Sequence, residues 1–529
     1  MGRHATPRRL SGTLLPTVVL EARYVARYVA AFAAGWGLFG TGLQAQDRNV
    51  LLDAYGEVRD EAFDYMRMPL SASDRIYADI DGHHIKELMN EVVGFSRRSR
   101  DDGNRYWGRM SGTEYEAMTA DWVEARFRAL GLEEIHRIES PLGPQWTPRD
   151  WTLTARGGGE LLSFPSAYPA PPQAVWSSGR ASNQNRPAPP STLPHPLDVE
   201  AVWVGLGTQA DFAGREIRGK AVVFQAMLAP GQMGNSSTWE RVAVRAQDAG
   251  AAMTIGIWGY AENMSVIQSS EAQQTPGFWV GFEDGRRLRD LIGGGPVRIS
   301  ASLDVDWVEG LTSPSQYGML PGTTDETIII TAHMDGWFDA ALDNASGAAV
   351  MIALAEHFSQ VPREQRRRNM LFVGTAGHHV GSPNSPYMRD QGLLENTALL
   401  INAEHIAPVQ FLGYGRELRR TAGISPRRWW VHGSDELLDI TLDAYRTFGV
   451  SLVGPMHPSA SGEIGQIDRE APSIQLIRSP EHKHTDLDIA ALVPSVGLEA
   501  VARAFAKIID GVNGLSLAEL QRPAQTASN

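Results

Sequence analysis

The chain of 529 residues is longer than one hydrophobic core ordinarily supports, so a main domain with an inserted or appended unit is expected. A hydrophobic fraction of 43% and a charged fraction of 21% are those of a folded globular protein and exclude disorder over most of the length. The net charge of −13 argues against a nucleic-acid or anionic-membrane binder, and with no cysteine any metal must be held by His, Asp and Glu.

The first 45 residues carry Arg3, Arg8, Arg9, Arg23 and Arg27, then an apolar stretch from Tyr28 to Leu43, then Leu43-Gln44-Ala45. This is the order of a basic region, an apolar region and a small-residue cleavage site, so residues 1–45 read as a signal peptide. The expectation is export, to the periplasm or medium, with no stable membrane insertion after cleavage. From about Ile85 to Leu132 the spacing is helical, with Ser111-Gly112-Thr113-Glu114 as a turn before Tyr115 to Leu130 and Gly131 as a stop. Residues 46–160 therefore open the main domain.

Between Ser163 and Pro196, runs such as Pro169-Ala170-Pro171-Pro172 and Pro187-Ala188-Pro189-Pro190 cannot hold ladders and read as a linker. A small unit follows. Val202 to Gly205, Ala221 to Phe224 and Ala252 to Ile257 have strand character, and Arg241 to Ala249 has helical character. Its segments Gly219-Lys220-Ala221-Val222-Val223-Phe224 and Asp248-Ala249-Gly250-Ala251-Ala252 resemble the protease-associated domain, so residues 161–310 are expected to be linker plus such an insert.

Residues 311–515 alternate strand and helix, as a parallel sheet requires. Thr327 to Thr331, Asn369 to Val373, Thr397 to Ile401 and Ser473 to Ile477 are apolar runs of strand length; Ala345 to Phe358 and Ser495 to Ile509 are helical, and residues 516–529 form a tail. The basic runs Arg366 to Arg368 and Arg427-Arg428 read as solvated faces. Trp429-Trp430 reads as core or as a pocket wall.

The strand Thr327 to Thr331 leads into His333-Met334-Asp335-Gly336 and then Leu342-Asp343-Asn344-Ala345-Ser346-Gly347. Polar groups at the carboxyl end of a parallel strand lie where open α/β sheets bind ligands. An imidazole ligand needs its second nitrogen fixed by an acceptor, and a carboxylate between two cations offsets their charge. This segment resembles the first two motifs of the co-catalytic zinc exopeptidases, the family of bacterial leucyl aminopeptidases and glutamate carboxypeptidases. The resemblance implies His333 as a metal ligand, Asp335 as its orienting carboxylate and Asp343 as a bridge between metals.

Asn402-Ala403-Glu404 matches the family's Asn-x-Asp with glutamate as terminal ligand, and His484-Thr485-Asp486-Leu487-Asp488 matches its closing His-Thr-x-x-Asp, with His484 as ligand. His482 is the competitor for that place, and only Thr485 and Asp488 favour His484. Gly462 and Glu463 fall where the family has substrate-side loop residues. The departure follows the strand Asn369 to Val373. Where the family has a Glu-Glu pair, general base then ligand, this chain has Gly377-His378-His379-Val380. His379 can ligate as a neutral imidazole, and His378 can take the place of the base.

The fold class expected is α/β: a phosphorylase/hydrolase-like mixed, mainly parallel sheet sandwiched by helices, with an inserted protease-associated domain. The functional expectation is an exported, aminopeptidase-like metal-dependent hydrolase of peptide or acyl-amide bonds. Its metal ligands would be His333, Asp343, His379, Glu404 and His484, its catalytic residues His378 and Asp335, and its cofactor one or two zinc ions or another divalent metal. The alternative is a relative that has lost or changed its chemistry and binds a metal or small ligand.

Overall fold

The computed structural model describes residues 60–172, 193–227, 236–268, 275–414, 417–455, 463–467 and 470–522. The expected signal segment, most of the proline-rich stretch, Gly462 and the end of the tail lie outside them. The described residues all belong to one compact unit.

Its first sheet has eight strands, in spatial order Leu452–Pro455, Arg427–His432, Ser473–Ile477, Thr397–Asn402, Thr327–His333, Asn369–Thr375, Thr312–Leu320 and Glu133–Pro141. The run from Ser473–Ile477 to Asn369–Thr375 is parallel, and Thr312–Leu320 and Glu133–Pro141 are antiparallel additions at one edge. Strands covered on both faces need apolar residues at successive positions rather than alternating ones. Accordingly Ile328, Ile329 and Ile330 are all 0% exposed. The helices Ser346–Ser359, Ser495–Val512 and Gly82–Asp101 pack together on one side. Met388 of Asn384–Asp390 and Ile464 and Ile467 of the short helix Ile464–Ile467 join Ile329, Leu371, Val373 and Leu400 in a separate core cluster. The expected mixed, mainly parallel α/β sheet is therefore present.

Two of its strands run two residues beyond their apolar stretches, to His333 and Thr375, which are partners in register. That extension carries the chain from the sheet interior to the rim, where the polar residues begin.

A second eight-stranded sheet draws on residues 145–308. Leu193–Trp203, Ala221–Ala226, Met253–Trp258 and Gly277–Val280 are its parallel core, and the hairpin-like pair Gln145–Gly157 and Val297–Val308 extends it on the side of Leu193–Trp203. The helix expected at Arg241 to Ala249 is Val242–Asp248. This sheet reaches the first through a loop: Val266 bridges Thr485, Ile267 N donates to the His484 carbonyl at 3.0 Å, and Asp486 N donates to Ser265 O at 3.1 Å.

The basic runs are not both solvated. Arg368 is 1% exposed because its guanidinium donates to the Val512 and Leu515 carbonyls at 2.7 Å each, at the end of the helix Ser495–Val512, and pairs with Glu326. Arg427 is equally buried, and burial pushes its guanidinium down to about 10. Trp430, on the same strand, packs against the cluster that contains Tyr317 and Ile464 rather than standing alone as a pocket wall.

Candidate metal centre

Every ligand or catalytic residue expected for the site sits at or just beyond the carboxyl end of a parallel strand, or in the loop that follows it. His333 ends Thr327–His333; His378 and His379 follow Asn369–Thr375; Glu404 follows Thr397–Asn402; His484 follows Ser473–Ile477. The sheet thus collects side chains separated by as much as 151 positions (484 − 333) at one rim.

Asp335 is the organiser of this rim. Its Oδ1 lies 3.2 Å from His333 Nδ1 and accepts the His378 N–H at 3.1 Å. Its Oδ2 accepts from Ser111 Oγ at 2.8 Å, from the His379 N–H at 3.0 Å and from His379 Nδ1 at 2.9 Å. One carboxylate therefore orients two imidazoles through Nδ1 and turns both Nε2 atoms inward. The sequence resemblance assigned it only to His333. Burial disfavours the Asp335 anion, but the charges and bonds of His379 and His333 outweigh this and hold it well below the usual carboxylate range.

Asp343 occupies the middle. It lies in an irregular turn before the helix Ser346–Ser359, with φ −116° and ψ 77°, and its peptide bond to Asn344 is cis. The Leu342 and Asp343 N–H groups donate to Asp488 at 2.7 and 3.1 Å, which is the structural use of the aspartate in His-Thr-x-x-Asp. Asn344 Nδ2 donates to the Ala403 carbonyl at 2.8 Å, joining this turn to the next strand end. Gly347 makes that approach possible, since a Cβ there would sit 2.0 Å from the Ala403 oxygen.

The two oxygens of Asp343 face different partners. Oδ1 is 3.0 Å from His333 Nε2 and 3.2 Å from His405 Nε2; Oδ2 is 2.9 Å from His484 Nε2 and 3.7 Å from His379 Nε2. Glu404 completes the first group: its Oε1 is 3.7 Å from His405 Nε2, while Asn402 Nδ2 holds its Oε2 at 2.8 Å from behind. The longer glutamate reaches because Asn402 is itself held by Thr331 Oγ1 at 2.9 Å.

All five expected ligands, His333, Asp343, His379, Glu404 and His484, converge, and none is more than 6% exposed. His378 lies beside them at 9% exposure, its ring stacked on that of His333 with centroids 4.3 Å apart and its Nε2 3.8 Å from Glu404 Oε1. Burial, followed by the charges of His333 and His379, holds His378 well below the ordinary imidazole value, so it is neutral. His482 takes no part in the cluster: it is fully buried with its ring 5.5 Å from Phe411.

The residue missed from sequence is His405. It is 0% exposed and takes a left-handed backbone with φ 53°, as does His484 with φ 59°. That conformation costs a non-glycine residue roughly 1–3 kcal/mol and here turns the ring back toward Asp343. No spacing pattern announces such a turn; the only signal was a histidine adjoining a ligand at a strand end. Glu463, 0% exposed, bonds Thr375 Oγ1 and donates its N–H to Glu404 Oε2 at 3.3 Å, and burial pushes its carboxyl up to about 7. Lys483 Nζ lies 3.6 Å from Asp343 Oδ2.

Arg109, also unforeseen, anchors the loop from below. Fully buried, it donates to the Met334, Asp339 and Ala340 carbonyls at 3.0, 3.1 and 3.2 Å. The loop so fixed presents Trp337, whose ring lies 4.4 Å from that of His379 and 4.6 Å from that of His484. Beside them opens a cavity of about 120 Å³ lined by Tyr106, Met110, Trp146, Leu311, Trp337 and His379, among others.

The donor set fits a divalent transition metal. His333 Nε2, both Asp343 oxygens, Glu404 Oε1 and His405 Nε2 are buried without a hydrogen-bond partner, an arrangement that is costly unless a cation fills it. Imidazole and carboxylate donors suit zinc and its neighbours.

Residues 317–411 match the model of Peptidase family M28, a stretch that includes His333, Asp335, Asp343, His378, His379, Glu404 and His405 but not Ser111, Glu463, Lys483, His484 or Asp488. No curated protein matches the sequence. Among solved structures, the fold is similar to that of a peptidase M28 precursor from Shewanella amazonensis SB2B, at 16% identity, covering 88% of this chain and 99% of that one with a TM-score of 0.63. It is also similar to BSAP, a zinc aminopeptidase from Bacillus subtilis (14% identity, 83% and 98% covered, TM-score 0.57), and to an aminopeptidase from Aneurinibacillus sp. strain AM-1 (16% identity, 82% and 95% covered, TM-score 0.53). At these identities the likeness establishes the fold.

Proposed function

We propose that this chain, with its Peptidase family M28 segment, is a zinc-dependent, aminopeptidase-like hydrolase of peptide or acyl-amide bonds. The observation that carries the reading is the sharing of Asp343 between two groups of donors, one at each carboxylate oxygen. Zinc held there supplies the Lewis acidity for attack of water on an acyl carbonyl.

The chain's own residues do the rest. Asp335 keeps His333 and His379 in the tautomer that presents Nε2 to the site. His378, neutral and at the edge of the cluster, takes the proton of the attacking water in the place where the family has a glutamate. Trp337 and the apolar cavity beside His379 receive the side chain of the substrate and keep water from it. Binding and export complete the proposal. The basic and apolar order of residues 1–45 supports passage to the periplasm or medium, and among the described residues no helix is long and apolar enough to cross a membrane. Residues 161–310 are proposed to be linker and a protease-associated-like insert that braces the loop of His484.

The test is metal analysis of the purified chain beside an assay on a panel of aminoacyl and acyl amides. Activity lost with a chelator, restored by zinc and abolished in His379→Ala is expected. A metal-binding chain that hydrolyses none of the panel, yet gains activity when His378→Glu and His379→Glu are installed together, would overturn this reading in favour of a relative that binds metal without hydrolysis.

A further inference from the structure

We infer that His405 is a fourth protein ligand in this centre, so that its two cation sites are unequal: one closed by His333, Asp343, Glu404 and His405, the other open and held by Asp343, His379 and His484. The inference deepens the proposed function, since it rests on the same rim binding cations.

The argument is geometric. Zinc bonds to nitrogen and oxygen donors are about 2.0–2.1 Å long, so neighbouring donors of a tetrahedral ion stand about 3.3–3.4 Å apart. Around the first site the separations are 3.0 Å from His333 Nε2 to Asp343 Oδ1, 3.2 Å from His405 Nε2 to Asp343 Oδ1, and 3.7 Å from His405 Nε2 to Glu404 Oε1. These three separations bracket the tetrahedral edge; Asp343, Glu404 and His405 form one donor group, and His333 meets Glu404 in a second that also includes His378. His405 is wholly buried with no hydrogen-bond partner at either ring nitrogen, and its Nε2 is aimed at two carboxylates, as a metal ligand's would be. His378 is the only rival among the described residues for the fourth place. Its Nε2 is 3.8 Å from Glu404 Oε1, but its ring lies face to face with His333 rather than across the carboxylates.

The second site has Asp343 Oδ2, 2.9 Å from His484 Nε2 and 3.7 Å from His379 Nε2. It has one carboxylate where the first has two, and the Lys483 ammonium 3.6 Å from that oxygen repels a second cation. Four protein ligands characterise zinc sites that hold their ion firmly, and three characterise sites with an exchangeable position. The closed site therefore binds first and tightly, and the open site binds weakly and exchanges.

The test is titration of the chelator-stripped full chain with Zn²⁺ against a competing chelator, and with Co²⁺ followed by its visible absorption. The wild type is expected to bind in two steps, the first giving the intense spectrum of four-coordinate Co²⁺. His405→Ala is expected to weaken the first step by at least about a hundredfold, the share of one ligand in a four-ligand zinc site, and to abolish that spectrum. His484→Ala is expected to weaken the second step alone, and Lys483→Met to strengthen it. Circular dichroism checks folding, and His405→Gln serves if His405→Ala does not fold. A first step unchanged by either His405 substitution would overturn the inference, for His405 would then be a charge partner of Asp343. Two steps of equal affinity would overturn it as well. Hydrolysis is read separately: an intact tight step in an inactive chain would sink the proposed function and leave this inference standing.

Discussion

Asp335 accepts from two imidazoles at once, and its removal should divide the centre rather than abolish it. In Asp335→Ala, His379 Nδ1 loses the acceptor at 2.9 Å that fixes its tautomer, whereas His333 Nδ1 still lies 3.1 Å from the residue's own backbone carbonyl. Loss of such an orienting partner typically lowers metal affinity about 10–100-fold. The step that depends on His379 and His484 should weaken by that factor, about 1.4–2.7 kcal/mol, while the step at His333 should weaken by less than about tenfold. The N–H groups of His378 and His379 also lose their acceptor. At about 1–3 kcal/mol for each buried donor left unpaired, the fold should lose roughly 2–6 kcal/mol. Asp335→Asn separates the two effects. Its amide oxygen, placed where Oδ2 was, can still accept from Ser111, the His379 N–H and His379 Nδ1, so most of the second-step affinity should return. Zinc titration and urea denaturation of the three proteins read both quantities. Equal weakening of both steps in Asp335→Ala, or an Asp335→Asn protein as impaired as Asp335→Ala, would refute this account of the carboxylate.

Three further outcomes are expected. Glu116, buried against Asp335 and bonded by Ser313, Gly112 and Gly377, has its carboxyl pushed up to about 8, chiefly by burial. The unfolded chain gives up this proton near 4.5 and the folded chain near 8, so stability should fall as pH rises between those values, by at most about 1.4 kcal/mol per unit; denaturation midpoints of Glu116→Gln across that range should remove this share of the slope. Gly347→Ala should cost several kcal/mol and weaken metal binding, because its Cβ would meet the Ala403 oxygen at 2.0 Å and the Asn344 side chain at 2.4 Å; thermal denaturation with and without zinc checks both. Chelation of the metal should lower the melting temperature, since zinc at a thousand times its dissociation constant adds about 4 kcal/mol to the folded state; calorimetry before and after chelation and zinc return measures it.

The central strands were legible because burial on both faces leaves nearly unbroken apolar runs, and the rim was legible because polar residues begin where those runs stop: His333 after Ile330, Glu404 after Ile401. What stayed hidden depends on backbone turns and on long-range hydrogen bonds. His405 enters the site through a single left-handed residue, and no periodicity marks it. Arg109 stands 225 positions from the Met334 carbonyl it bonds, and no sequence pattern links the two. The run Arg366 to Arg368 has the composition of a solvated face, yet Arg368 closes the end of a helix through carbonyls 144 and 147 positions away. The second role of Asp335 is concealed because His379 stands where the family pattern has a glutamate, and a glutamate would present no side-chain N–H for Asp335 to orient.

That replacement has an electrostatic consequence which the rest of the rim answers in part. Exchanging a Glu-Glu pair for His378-His379 removes two negative charges from beside the proposed cations, each worth about 8 kcal/mol against a dication at 4 Å with an effective dielectric constant of 20. Lys483 adds a positive charge on the side of Asp343 Oδ2, so the deficit falls mainly on the site that holds His379 and His484. The other site keeps Glu404 and, on the inference above, gains His405, which would supply donor strength without needing a further negative charge. Asp335 contributes its charge to both sites through the imidazoles it polarises. Histidines in place of glutamates are therefore compatible with a metal centre here, but with one in which the two positions differ in affinity. On such a centre the exchangeable position next to Trp337 and the apolar cavity is the one a substrate would meet, and the closed position is left to hold the architecture of the rim.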